Sequence, residues 1–219
     1  MKVEIYFDVV CPWCFIGERR FGRALDAMGM DDVEVVFRPF QLDPTAPEEA
    51  RPVSEYLTRR FGAMAAGMQR RVSEFAEAEG IRMDWERALT TNTERAHRLV
   101  RLAELEYAPD VQRALVEALF SAHFEQGRDV GDTDELVGIA RSAGVDAARA
   151  AEWLASPEAE ADVRAALDEA RAIGVQSVPT FVFDGRFAVE GAQSVETFVQ
   201  AMVEVRERSA SVAGATEEV

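Results

Sequence analysis

The sequence predicts an α/β fold, ordered βαβ…αββα, with a large all-helical insertion between its two ends. Three observations predict it. A strand–helix–strand unit is complete within the first forty residues, residues 48–156 read as helices only, and a helix, a hairpin and a final helix close the chain. Neither end supplies a sheet large enough to be stable alone, so the two belong together. The expected division is a sheet-bearing domain at 1–47 and 157–208, a helical insertion domain at 48–156, and a disordered tail at 209–219.

Each element has its own reason. Val3 to Val9 alternates and is rich in β-formers, which makes a strand. Pro12 to about Met28 follows as a helix, and Val33 to Phe40 is a second strand, ended by Pro39 and an Asp43-Pro44 turn. Ser54 to Glu79 is helical with a break near Gly62 and a stop at Gly80. Asn92 caps a helix through Tyr107, with Ala96, Leu99, Val100 and Ala103 on one face. Asp110 starts the next helix, which ends near Gly127 and carries Leu119, Phe120 and Phe124 as core residues. Asp132 to Glu135 resembles a capping box, Gly144 closes that helix, and Asp146 to Ala155 is a short one. Ser156-Pro157-Glu158 opens another helix, closed by Gly174. Thr180 to Phe183 and Arg186 to Glu190 are strands joined by an Asp184-Gly185 turn, and Ser194 caps a last helix to about Arg208.

Composition narrows the function classes. A net charge of −16 argues against nucleic acid or an anionic membrane surface as the main partner, since both need a basic face. No run of eighteen apolar residues offers a membrane span. No charged leader and apolar run precede Cys11, so the expected location is the cytoplasm, where stable structural disulfides are rare.

The chemistry-bearing motif is Cys11-Pro12-Trp13-Cys14, where a strand gives way to a helix. Pro12 suits the first helical position, which makes Cys11 the N-cap. A sulfur there is expected to receive unpaired backbone N–H groups, and the positive helix end favours the thiolate. Both effects lower the pKa of a thiol, and the thiolate is the reactive form. Cys14, one turn on, can close a disulfide with Cys11; facing into the helix, it is expected to be the less exposed, resolving thiol. Trp13 and Pro12 then belong to the substrate-facing surface, with packing as the competing role for Trp13.

Simpler readings compete. A zinc site needs two more ligands, and His97 and His123, the only histidines, lack paired spacing; no metal is expected. Two inert core cysteines falling in this motif by chance, or a structural disulfide in a reducing compartment, both fit less well. Asp8, three residues before Cys11, is able to raise a thiol pKa or relay a proton, but a cap or solvated carboxylate at the strand end is the simpler expectation. His97 and Asn92, at the start of an insertion helix, read more simply as structural than catalytic. The insertion is able to shape a groove above Cys11.

A second motif is Ser177-Val178-Pro179-Thr180, just before a strand. Proline is permitted at a strand start. Beside a cysteine pair, a cis Val178–Pro179 bond opposite Cys11 is the better reading, with the Val178 backbone offered to an extended thiol-bearing peptide.

These stretches resemble the DsbA family of the thioredoxin superfamily, specifically its cytosolic FrnE-like branch. The resemblance rests on Asp8-Val9-Val10-Cys11-Pro12-Trp13-Cys14-Phe15-Ile16-Gly17, on Asn92-Thr93 with Ala96-His97-Arg98, on Ala118-Leu119-Phe120 through Gly127, and on Gly174 to Gly191. It implies a thioredoxin-like fold with an inserted helical domain. It also implies dithiol–disulfide exchange with protein or small-molecule thiols, with Cys11 as nucleophile, Cys14 as resolving cysteine and Pro179 as cis proline. No cofactor beyond the redox-active disulfide is implied; glutathione is a candidate thiol partner. Related kappa-class glutathione transferases and 2-hydroxychromene-2-carboxylate isomerases use glutathione but typically keep a serine where Cys11 stands. A glutathione-dependent transferase or isomerase is therefore the enzyme alternative, and a chaperone-like binding role for the helical domain is the non-enzyme alternative.

Overall fold

A computed structural model describes residues 1–30 and 33–216 of the chain. Its centre is a four-stranded mixed sheet in the order β2-β1-β5-β6. Strand β1 (Lys2–Phe7) runs parallel to β2 (Glu34–Pro39) and antiparallel to β5 (Thr180–Phe183), and β5 pairs antiparallel with β6 (Phe187–Glu190). Ile5 stands opposite Phe37 on one side and Phe181 on the other. The two ends of the chain thus meet inside one sheet. The period of two decides the faces: Val3, Ile5, Phe7, Phe181 and Phe183 join the main core, whereas Tyr6 and Val182 pack with Ala170 and Val175 in a second cluster.

Between β2 and β5 the chain forms α2 (Val53–Phe61), a 3-10 turn (Gly62–Met64), α3 (Ala65–Glu77), α4 (Glu94–Glu106), α5 (Pro109–Phe124), α6 (Thr133–Ser142), α7 (Ala147–Leu154) and α8 (Pro157–Ala172). Helix α1 (Pro12–Met28) packs on α9 (Val195–Thr216), with Phe21 meeting Phe181, Phe183 and Phe198. From α5, Phe120 stacks on Phe15 at 5.0 Å and meets Phe7 edge-on at 5.7 Å, so one aromatic core runs from the sheet into the helices. Gln112 of α5 treats edge strand β2 as a strand would. Its side-chain oxygen accepts the Phe37 N–H at 3.0 Å and its amide donates to the Phe37 carbonyl at 3.1 Å, which closes part of an open edge.

Several expected punctuation marks are present. Asp132, Asp146 and Ser156 each accept a first-turn N–H, and Asp184 and Gly185 both have positive φ, as a tight hairpin turn requires.

Two expectations need correction. The stretch 48–156 is not helical only: Arg51–Pro52 (β3) pairs antiparallel with Leu89–Thr90 (β4), because the residue before a proline is pushed out of the helical region. The N-cap of α4 is Thr93 rather than Asn92, whose side chain accepts the Glu94 N–H at 2.9 Å from one residue earlier. Helix α9 runs on to Thr216, into the stretch expected to be a disordered tail from 209. Residues 217–219 of that expectation lie outside the described residues.

Candidate active site

Cys11 is the N-cap of α1, extended at φ −91° and ψ 109°, with Pro12 in the first turn. Its carbonyl accepts the N–H groups of Cys14 at 3.0 Å and Phe15 at 3.4 Å, and its own N–H donates to the Asp8 carbonyl at 3.0 Å. The sulfur takes no N–H from the helix, contrary to the sequence expectation, because the backbone carbonyl already serves those donors. It points instead across the molecule, donating to the Val178 carbonyl at 3.7 Å. The positive end of the α1 dipole still faces Cys11.

Both cysteines are free thiols and both are buried, at 3% exposure for Cys11 and 2% for Cys14. The expected contrast in exposure is therefore slight; what separates them is chemistry. Burial pushes the Cys14 thiol well above its ordinary pKa, and the Cys11 side chain hydrogen-bonded to it and the Asp8 charge push it the same way.

The Val178–Pro179 bond is cis, and the loop that carries it lies against Cys11. Gly17 in α1 lets that loop approach: a Cβ there would stand 3.1 Å from Pro179 Cγ and 3.4 Å from Ala192 Cα. The Pro179 carbonyl accepts the Gly191 N–H at 2.8 Å, which fixes the loop to the end of β6.

Asp8 is not a solvated carboxylate. It is fully buried, with one oxygen accepting the Leu42 N–H at 2.8 Å and the other 3.3 Å from His97 Nε2. The loop after β2 folds over the end of β1 and shuts out water. His97 is likewise fully buried, edge-on to Phe7 at 5.2 Å, so it is a core histidine paired with a buried acid. Asn92 ties the 44–46 loop to α4 through the carbonyls of Pro44 and Ala46 and the Glu94 N–H.

A cavity of about 340 Å³ opens beside Cys11. Pro12, Trp13 and Val178 line it on the sheet side, and Tyr56, Leu57, Phe61 and Val72 line it from α2 and α3. Trp13 does both things expected of it, packing on Phe75 at 5.4 Å and lining this space. His123, which the sequence reading used only as a zinc ligand to dismiss, also lines it. It is 2% exposed, its Nδ1 has no partner among the described residues, and burial pushes its pKa down to about 4 against the pull of Asp8. Its position three residues after Phe120 and four after Leu119, both core, was the available signal. Among the described residues no group of three or more His, Cys, Asp or Glu side chains is placed to hold a metal ion. The arrangement is suited to thiol chemistry: a sulfur on the N-cap residue of α1, a second sulfur held protonated beside it, and a backbone carbonyl facing the first.

The sequence profile of DSBA-like thioredoxin domains matches residues 2–203. A crystal structure described as a probable DsbA oxidoreductase from Streptomyces coelicolor is 38% identical, covers 93% of this chain and 89% of its own, and superposes with a TM-score of 0.85. Two solved structures share the fold at lower identity. A 2-hydroxychromene-2-carboxylate isomerase is 17% identical with a TM-score of 0.73, covering 97% of this chain and 99% of its own. The cytosolic disulfide reductase DsbM from Pseudomonas aeruginosa, solved with GSH, is 16% identical with a TM-score of 0.63, covering 95% of this chain and 100% of its own.

Proposed function

This chain belongs to the family of DSBA-like thioredoxin domains, and from that premise we propose that it is a thiol–disulfide oxidoreductase that exchanges the Cys11–Cys14 dithiol and disulfide with protein or small-molecule thiols. The observation that carries this reading is the division of labour between the two sulfurs. Cys11 caps α1 at its positive end, and Cys14 is kept protonated by burial.

In the reducing direction, Cys11 thiolate attacks a substrate disulfide, forms a mixed disulfide and expels one substrate thiolate. Cys14 gives up its proton, attacks Cys11, and leaves the protein disulfide and the second substrate thiol. The opposite direction oxidises a substrate dithiol by the same steps reversed. Pro12, Trp13, Val178 and Pro179 are the substrate-facing residues of this reading; Pro12, Trp13 and Val178 line the cavity at Cys11, and Pro179 sits behind Val178. Glutathione is a fitting small thiol, given the DsbM structure solved with GSH, and a cytoplasmic setting agrees with that protein's description as cytosolic. A cysteine at position 11, where the related isomerases are expected to keep a serine, favours disulfide exchange over isomerisation.

Insulin reduction by dithiothreitol tests the proposal. The protein accelerates the reaction and Cys11→Ser does not; equal rates for the two exclude the reading.

A further inference from the structure

The cavity beside Cys11 has features that disulfide exchange alone does not require. Cys11 is 3% exposed and its side of the α1 junction lines this space. Helix α2 carries an apolar stripe, Val53, Tyr56, Leu57 and Phe61, yet none of its residues is buried. The stripe faces the cavity instead of a packed core, which leaves room for an apolar ligand body. Two polar groups stand in the same wall. Arg60, itself exposed to solvent, lies over the rings of Tyr56 and Phe61 at 5.9 and 5.8 Å and pairs with no carboxylate among the described residues. His123 is almost wholly buried, makes no hydrogen bond to the described residues, and has a buried Nδ1 without a partner.

Resting on the redox reading above, we propose that this cavity receives a compact aliphatic dithiol or disulfide with a terminal carboxylate, its sulfur against Cys11, its body on the α2 stripe and beside His123, and its carboxylate on Arg60. The exchange balances within the pair. A thiolate of the dithiol attacks Cys11 of the protein disulfide and expels Cys14 as thiolate, which takes up the proton. The second ligand thiol attacks the ligand sulfur of the mixed disulfide, forms the ligand disulfide and releases Cys11 thiolate. Two electrons pass from ligand to protein, and the reverse reaction returns them.

The probes are dihydrolipoate and its uncharged analogue dihydrolipoamide, which differ only at the acid end. Oxidised protein is mixed with each at low ionic strength, and its free thiols are counted by alkylation and mass spectrometry against time. With a net charge of −16, long-range repulsion alone makes the anionic probe the slower one. The proposal expects the opposite order, about fivefold in favour of dihydrolipoate, falling toward parity in Arg60→Gln and in high salt. It also expects lipoate, added to oxidised protein, to shift one of the two histidine imidazole spectra, the one missing in His123→Leu. Equal or reversed rates for the two probes, or a His123 spectrum unmoved by lipoate, overturn the proposal. Dithiothreitol serves as the third reductant: if it reduces the Cys11–Cys14 disulfide while the lipoyl preference is absent, the redox reading stands and only the ligand assignment falls. If it does not reduce the protein at all, both fall together.

Discussion

The thiol of Cys11 donates to the carbonyl of Val178 across 3.7 Å and 167 residues of chain. This one contact joins the strand–helix junction at the start of the fold to the loop before β5 near its end. Because β1 and β5 pair side by side, the sheet itself sets the spacing of the two.

The two cysteines have different fates when cut apart. Cys14→Ser removes the resolving thiol and accumulates stable mixed disulfides at Cys11, visible as added mass that dithiothreitol removes. Limiting alkylation of reduced wild-type protein near neutral pH labels Cys11 first, because the Cys14 thiol is pushed up by burial. Preferential labelling of Cys14 reverses the assigned roles.

Gly17 is a spacing residue for the Pro179 loop. Valine there places carbon against Pro179 and Ala192, where even a Cβ stands at 3.1 and 3.4 Å. The expected cost is about 1–3 kcal/mol of stability in urea unfolding, together with slowed insulin reduction. Wild-type stability and turnover in Gly17→Val contradict the close packing described.

His123 gives stability a pH dependence of known sign. Its pKa is about 4 in the folded protein against an ordinary 6.5, so the unfolded chain binds the proton first as pH falls. The fold loses stability from about pH 6.5 downward, and the loss levels off near pH 4, where the folded form also takes up the proton. Between pH 7 and pH 5 the loss from this group is about 2 kcal/mol. His123→Leu removes that component, so the difference in unfolding free energy between variant and wild type changes by that amount across the window. A difference that does not vary with pH places His123 in water instead.

Asp8 holds two partners in a dry place. Asp8→Leu leaves the Leu42 N–H and His97 without their acceptor and costs about 2–5 kcal/mol. Asp8→Asn keeps an acceptor oxygen and costs less. Equal stability of the two variants in chemical denaturation contradicts the buried pairing.

How much of this was legible in the sequence depends on how local each cause is. Helix α1 runs from Pro12 to Met28 and β5 from Thr180 to Phe183, as expected, because proline and β-branched or aromatic runs act on their own neighbours. The cysteine motif and Val178-Pro179 were found for the same reason. The two-residue strands β3 and β4 were missed, since their pairing joins positions far apart and leaves no periodic trace. The full burial of Asp8 was not legible, because it depends on Leu42 and His97, 34 and 89 residues away. Arg60 passed unremarked: nothing in its neighbours tells a cation at a cavity mouth from one on open surface.

A redox titration of the intact protein tests the central claim most directly. Protein equilibrated across a series of glutathione buffers is quenched with acid, alkylated and weighed by mass spectrometry. The account predicts one two-electron transition in which Cys11 and Cys14 lose their alkylation sites together, centred at a single potential. Two cysteines that remain alkylatable under every buffer, or that gain glutathione independently without ever forming an internal disulfide, contradict it.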